Sequence, residues 1–216
     1  GGIYRGYEAI LYAARLGADV INCSWGGFGN SPAEQDVISQ ITAMGSLVVA
    51  ASGNNSLFTD AAPVRHYPSN YLEVLSVGAT QQTDATAGFS NYGGRTLIYA
   101  PGDALWTTRT DNRYTTASGT SFSAPLVSGI AALVLSVHPN WTPRQVLQQL
   151  RSTSDNVITG TTADTRYLFY GRINAYRAVQ MNQSFTSGTT VPGVSSIALD
   201  VLPDAAETSI RTLDPT

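Results

Sequence analysis

The sequence has a single cysteine, Cys23, only two histidines, His66 and His138, and no cluster of basic residues. One cysteine cannot close an internal disulfide, so the cysteine count leaves the redox compartment open. Within "DVINCSW" Cys23 reads as a small buried apolar residue rather than a reactive thiol. The 12 Lys and Arg are scattered, and a net charge of −3 with a pI near 5.2 gives no footprint for a polyanion, which argues against a nucleic-acid partner. No apolar run approaches the roughly 20 residues of a membrane span. Gly129, Ser136 and His138 interrupt the longest one, so no membrane span is expected. The chain opens on Gly1 without a methionine or a basic leader, and the expectation is a removed targeting segment or a piece of something longer.

With 216 residues, 43% hydrophobic and 12% charged, the chain can bury one sizeable core. Low charge and abundant Gly, Ser, Thr, Asn and Tyr agree with a secreted or extracellular protein. Residues 4–16 carry Tyr7, Ile10, Leu11 and Ala14 at helical spacing, with Gly17 as the stop, and "ADVINCS" (18–24) follows as a buried strand. Ser31, Pro32 and Glu34 form a cap, first-turn proline and capping box before the stripe Val37, Ile38, Ile41, Met44. "SLVVAAS" (46–52), "EVLSVGA" (73–79) and "TLIYA" (96–100) read as further strands, and 119–137 as a long, almost wholly apolar helix belonging in the core. Thr142, Pro143 and Gln145 repeat the capping pattern, and "RYLFYGRINAYRAV" reads as a strand or hairpin followed by a last helix. This order predicts an α/β fold, three layers α/β/α around a mostly parallel sheet. From about residue 183 the composition turns to Ser, Thr, Gly, Pro and Asp, so 1–182 is expected to form the domain portion and 183–216 an extension or linker, with "SSIALDVLP" as one candidate strand.

In open α/β sheets, sites form at the carboxyl ends of the strands. Two segments fit: "LVVAASGNN" (47–55), where a strand runs into Gly53 and Asn54, and "SGTSFSAP" (118–125), which opens the long helix. Ser and Thr at a helix start commonly do no more than cap. The first turn also presents unpaired N–H groups and a dipole that favours negative charge, which suits an oxyanion. A side-chain amide such as Asn54, with the Ser121 N–H, supplies the two donors that acyl transfer from an amide needs. A dinucleotide loop in "GGFGNS" is excluded because the third glycine of G-x-G-x-x-G falls on Pro32. An α/β-hydrolase elbow is excluded because Ser123 stands where glycine is required.

"SGTSFSAPLVSGIAALVLSVHPNW" resembles the nucleophile segment of subtilisin-like serine peptidases, and "VVAASGNN" resembles their oxyanion segment. "DVINCSWGG", "YLEVLSVGAT", "FSNYG", "YAPG" and "GRINAYRAV" match in order, so the resemblance covers residues from about 5 to about 180. It implies Ser121 as nucleophile and Asn54 as side-chain oxyanion donor, with Thr120 and Ser123 supporting the turn. It implies that Ser24, Trp25 and Gly26 pair with an extended peptide, and that Ala51, Ser52 and Gly53 form the opposite wall of the first specificity pocket. Trp25 stands where the family often has leucine, so it either narrows a neighbouring subsite or simply packs. No cofactor is required; the family can hold a structural calcium, here on the carbonyls of Ser69, Tyr71 and Val74, though its usual proline after the tyrosine is missing.

A serine nucleophile needs a base, and the base an orienting carboxylate. The family's chain order is Asp, His, Ser, and neither an Asp-Ser-Gly-like nor a His-Gly-Thr-like segment is in these residues. His138 follows Ser121 by 17 residues of helix, roughly 25 Å, and is excluded as base. His66 reads as a loop or pocket residue. Relatives that pair the serine turn with Glu and Asp place a carboxylate where Asn54 stands. The expected function is therefore a serine endopeptidase acting on protein or peptide substrates, with Asp and His supplied by an upstream portion of the same precursor. The alternative is a catalytically inactive subtilisin-like binding or scaffold domain.

Overall fold

The computed structural model describes residues 5–60, 64–156 and 171–180. The chain divides into Gly1–Met181 and Asn182–Thr216; the second part, like the candidate strand "SSIALDVLP" and the stretch 166–170, lies outside the described residues.

In chain order the elements are α1 (Gly6–Arg15), β1 (Val20–Cys23), β2 (Gly27–Phe28), α2 (Pro32–Ala43), β3 (Leu47–Ala51), β4 (His66–Tyr67), β5 (Val74–Thr80), β6 (Ile98–Pro101), β7 (Leu105–Arg109), β8 (Arg113–Ala117), α3 (Thr120–Val137), α4 (Pro143–Ser152) and α5 (Ala175–Gln180). The central sheet is parallel in the order β1-β3-β5-β6, with Cys23 opposite Ala50, Ala51 opposite Val77 and Thr80 opposite Pro101. β2 pairs antiparallel with β4, and β7 with β8.

Strand alternation divides the core into two halves, as the pleat requires. Leu47, Val49 and Ala51 with Leu75, Val77, Ile98 and Ala100 meet Ala124, Val127, Ala131 and Val134 of α3, together with α4 and α5. Val48, Ala50 and Val74 face the other way, onto Ile10 and Ala14 of α1 and Ile38 and Ile41 of α2. The result is the three-layer α/β/α architecture that the pattern predicts. β3 and β5 are buried along their whole lengths, which is why they read as unbroken apolar runs rather than alternating ones.

The two predicted capping boxes part company. At α4 the box forms: Thr142 Oγ1 accepts from the Gln145 N–H, and the Thr142 N–H donates to Gln145 Oε1. At α2 it does not. Ser31 makes no side-chain cap, and the reciprocal half of the box is taken by Tyr71, whose hydroxyl donates to the Glu34 carboxylate and accepts from the Ser31 N–H at 3.0 Å, a contact from 37 residues or more downstream that local pattern cannot show. The hairpin β7–β8 was not predicted, although its β-branched strands and Asp111-Asn112 turn carry a hairpin signal, with Asn112 at a φ of 58°.

Helix α3 departs from expectation in its surroundings. It is one helix long and apolar enough to cross a membrane by length and composition, with a mean hydropathy of 1.7 over 18 residues, despite the interruptions that argue against a span. One face lies on the sheet as a core helix does. On the opposite face Leu126, Leu133 and Val137 are 43%, 52% and 48% exposed, so a helix read as wholly buried is covered on one side only among the described residues. Beside it, β1 pairs with β3 alone among the described residues, and Asn22 faces out, accepting a hydrogen bond from Ser128 Oγ at 3.1 Å.

An ion cluster fastens the carboxyl-terminal elements. Arg172 bonds Asp84 and, at 3.3 Å, Asp155; Arg177 reaches Asp155 at 3.2 Å, and Asn174 donates to both of its oxygens. Burial pushes the Asp155 carboxyl up, but the hydrogen bonds from Asn174, Arg177 and Arg172 outweigh it and hold the group below the ordinary carboxylate range. A depressed folded value contributes stability that is present above the unfolded value, about 3.9, and lost as pH falls through the folded one. Asp155→Asn is expected to lower the melting temperature at pH 7 by about 2–4 °C. The gap to the parent chain should close as pH falls below about 4; a gap independent of pH in thermal melts would contradict the assignment.

Candidate active site

The carboxyl ends of β1 and β3 and the start of α3 converge. Gly53 leaves β3 with a φ of +103°, and a Cβ there would lie 2.4 Å from Asn91 Nδ2, so only glycine fits the turn. Asn91, fully buried, holds the loop from three directions: its Nδ2 donates to Ser52 O (2.8 Å), its N–H to Gly53 O (2.9 Å), and its Oδ1 accepts from the N–H groups of Asn55 and Leu57 (both 3.0 Å). Sequence reasoning gave Asn91 no role. Its signal was the segment "FSNYG", which marks a match but not a function.

The loop delivers Asn54 to the first turn of α3. Asn54 Oδ1 accepts from both the Thr120 N–H and the Thr120 hydroxyl, each at 2.9 Å, and the Gly53 N–H donates to Thr120 Oγ1 at 3.2 Å. The helix start is thus capped by a residue 66 positions earlier: the N-cap residue Gly119 has no side chain, and none of the serines of "SGTS" makes the cap. With Oδ1 occupied, the Asn54 amide presents Nδ2 as its free donor. An ideal Cβ on Gly119 would lie 3.3 Å from Asn54 Nδ2 and 3.8 Å from Ser121 N, so both donor nitrogens border the space beside this glycine, whose φ of +153° L side chains rarely adopt. The Ser121 N–H, in the first turn, has no intrahelical partner.

Pro125 explains a further contact. It lacks the N–H that would bond the carbonyl four residues back, on Ser121. That carbonyl accepts instead from Ser24 Oγ at 2.8 Å, while Ser121 Oγ donates to Ser24 O at 3.1 Å. Ser123 Oγ reaches Ala100 O and Pro101 O at 3.1 and 3.2 Å, tying the turn to the end of β6.

Of the remaining predicted residues, Ser24, Trp25 and Gly26 leave β1 beside Ala51, Ser52 and Gly53 leaving β3. The Trp25 ring packs edge-on against Tyr7, with centroids 5.5 Å apart, and belongs to the core half under α1 and α2. Ser69, Tyr71 and Val74 are buried in and just after the turn that follows β4. The turn's side chains are paired internally, Ser69 Oγ to His66 O at 2.6 Å and Asn70 Nδ2 to Thr59 O at 2.8 Å. No group of three His, Cys, Asp or Glu side chains converges among the described residues. Burial pushes the Cys23 thiol up to about 12, so it is inert.

Neither histidine meets Ser121. His138 ends α3 and stacks on Trp141, with ring centroids 3.8 Å apart. His66 is buried with its ring between Gly26 and Gly53, and burial lowers its pKa, partly opposed by a hydrogen bond to the Ala51 backbone.

Comparison with known proteins places these features in context. A family model described as the subtilase family matches residues 3–197, past the expected boundary at 182. The chain is 41% identical to a thermophilic serine proteinase of Bacillus sp. (strain AK1) over 80% of its own length and 40% of that protein's. It is 36% identical to subtilisin DY of Bacillus licheniformis, over 81% of this chain and 63% of the other. A protease structure from Pseudoalteromonas arctica superposes with a TM-score of 0.68 at 29% identity, covering 80% of this chain and 57% of that one. The chain therefore spans between two fifths and two thirds of the length of these relatives.

Loss of the Asn54 acceptor should weaken the fold more than loss of the Ser121 hydroxyl. Asn54→Ala is expected to cost about 0.5–2 kcal/mol in urea denaturation, the range for a lost helix cap. Ser121→Ala, which loses the single bond to Ser24 O and leaves the cap intact, should cost no more than about 0.5 kcal/mol, the low end for one lost hydrogen bond. Equal effects of the two substitutions would contradict the capping role of Asn54.

Proposed function

The chain belongs to the subtilase family, and from that premise we propose that it supplies the nucleophile and oxyanion hole of a serine endopeptidase whose Asp and His come from an upstream portion of the same precursor. The observation that carries the reading is the convergence of Asn54 Nδ2 and the Ser121 N–H beside Gly119, with the amide's orientation set by Thr120. Donors held in place before reaction stabilise an oxyanion without reorganisation.

Ser121 Oγ attacks the scissile carbonyl carbon while its proton passes to the upstream histidine. The carbonyl oxygen, now negative, receives the two N–H donors. Collapse breaks the C–N bond, the histidine returns the proton to the leaving amine, and Ser121 is left acylated. Water then attacks the ester by the same proton route, releasing the acid and restoring the hydroxyl. The substrate is a protein or peptide lying extended along Ser24, Trp25 and Gly26, with Ala51, Ser52 and Gly53 as the facing wall.

The upstream portion has a place to pack. Leu126, Leu133 and Val137 form one exposed stripe on α3, next to the outer edge of β1. Leu126 lies five residues, about 7.5 Å of helix, from Ser121, so a segment covering this stripe also reaches the nucleophile. No cofactor takes part. A structural calcium ion, if held by the carbonyls of Ser69, Tyr71 and Val74, would rest on neutral donors and brace the turn after β4. Residues 1–182 form the peptidase portion and 183–216 an extension, and the protein acts outside the cell. The second reading, a silent binding domain, draws on one observation: neither histidine of the chain reaches Ser121.

The isolated chain is expected to show no meaningful peptide turnover. In the protein carrying the upstream portion, a fluorophosphonate should label the parent and not Ser121→Ala. Asn54→Ala should lower turnover by about 100- to 1000-fold, a magnitude carried over from removal of this asparagine donor in subtilisin. Labelling that survives Ser121→Ala removes Ser121 from its role; a parent protein that never labels favours the silent domain.

A further inference from the structure

Between the two segments proposed above as pocket walls lies a side chain. β4, which contains His66, pairs with β2 just beyond Gly26, placing His66 opposite Phe28. A Cβ on Gly26 would lie 2.3 Å from His66 Cε1 and 2.9 Å from Nδ1, while one on Gly53 would lie 3.0 Å from Cδ2 and 3.1 Å from Cγ. One edge of the imidazole thus abuts Gly26 and the opposite edge abuts Gly53, so the ring spans the gap from wall to wall. It is also fixed. Phe28 meets it edge-to-face at 5.9 Å, its Nδ1 lies 3.4 Å from Ser69 Oγ, it hydrogen-bonds the Ala51 backbone, and it is only 7% exposed.

We propose that His66 is the specificity-determining residue of this pocket, its imidazole filling the space between Gly26 and Gly53 so that the substrate residue whose carbonyl Ser121 attacks must be small: glycine, alanine or serine. The inference rests on the reading of Ser24 to Gly26 and Ala51 to Gly53 as pocket walls. Its physical basis is close packing. Two walls that are glycine at the point of contact would leave room for a large side chain, and a ring already in contact with both leaves none unless it is expelled. Expulsion would break its contacts with Ser69, Ala51 and Phe28 together. Burial favours the neutral ring, so the filled pocket offers no positive charge to attract an acidic side chain.

The test compares kcat/KM for two peptides that differ only in alanine or phenylalanine before the scissile bond, using the protein with its upstream portion. The parent should favour alanine by at least about ten-fold, the scale on which a pocket discriminates by size. His66→Gly should reverse the preference, and His66→Asn, which keeps a polar planar group of smaller volume, should move the ratio toward phenylalanine. A parent that cleaves both peptides equally, with Ser121→Ala inactive, overturns the pocket assignment and leaves the catalytic reading standing. So does a ratio unmoved in His66→Asn when His66→Gly fails to fold. Turnover that survives Ser121→Ala, or none on either peptide, overturns the catalytic reading and this inference with it.

Discussion

The site depends on one pair of hydrogen bonds, from the Thr120 N–H and hydroxyl to Asn54 Oδ1. They do three things at once. They satisfy the first orphan donor of the longest helix, join the end of β3 to the start of α3, and fix which end of the Asn54 amide faces outward. The rest of the turn serves that contact. Asn91 and Gly53 bring the loop to the right place, Ser123 anchors the helix start to β6, and Pro125 frees the Ser121 carbonyl for Ser24. Under the proposed function, the amide is a stronger oxyanion donor because its rotation is already prevented, and the restraint is the same bond that caps the helix.

The helix that carries Ser121 also links the chemistry to the packing of the layers. Ala124, Val127, Ala131 and Val134 lie on the sheet, and Leu126, Leu133 and Val137 point away from it. Under the proposed function, the segment that buries this outer stripe also completes the catalytic machinery. Burial of apolar area on α3 and delivery of the base to Ser121 are then one event.

Much of the fold was legible in the sequence because the signals are local. The Ile38 and Ile41 positions of the α2 stripe, the apolar runs of β3 and β5, and the Thr142–Gln145 box follow from spacing alone, while Met44, expected in the stripe, caps the helix and is exposed. The failures are tertiary. Tyr71 took Glu34 from the Ser31 box, and β2 and β4 are two residues each, too short to leave a period. The exposure of α3 could not be read because a helix apolar on every side does not show which side is left open. At the site, the sequence singles out Ser121 and Asn54 through the pattern of "SGTS" and "SGNN", which records chemistry only by resemblance; the structure brings the two segments together through Thr120. Asn91 and the wedge position of His66 were not legible, since both act across contacts between segments 13 to 40 residues apart in the chain.

The central claim, that Thr120 holds Asn54 so that its amide and the Ser121 N–H meet one oxygen, is tested most directly by NMR of the protein phosphonylated at Ser121. The account predicts that the Asn54 side-chain amide and the Ser121 backbone N–H both move downfield on modification, and that Thr120→Val abolishes the shift of the Asn54 signal. An Asn54 amide unmoved while the Ser121 N–H shifts would contradict it.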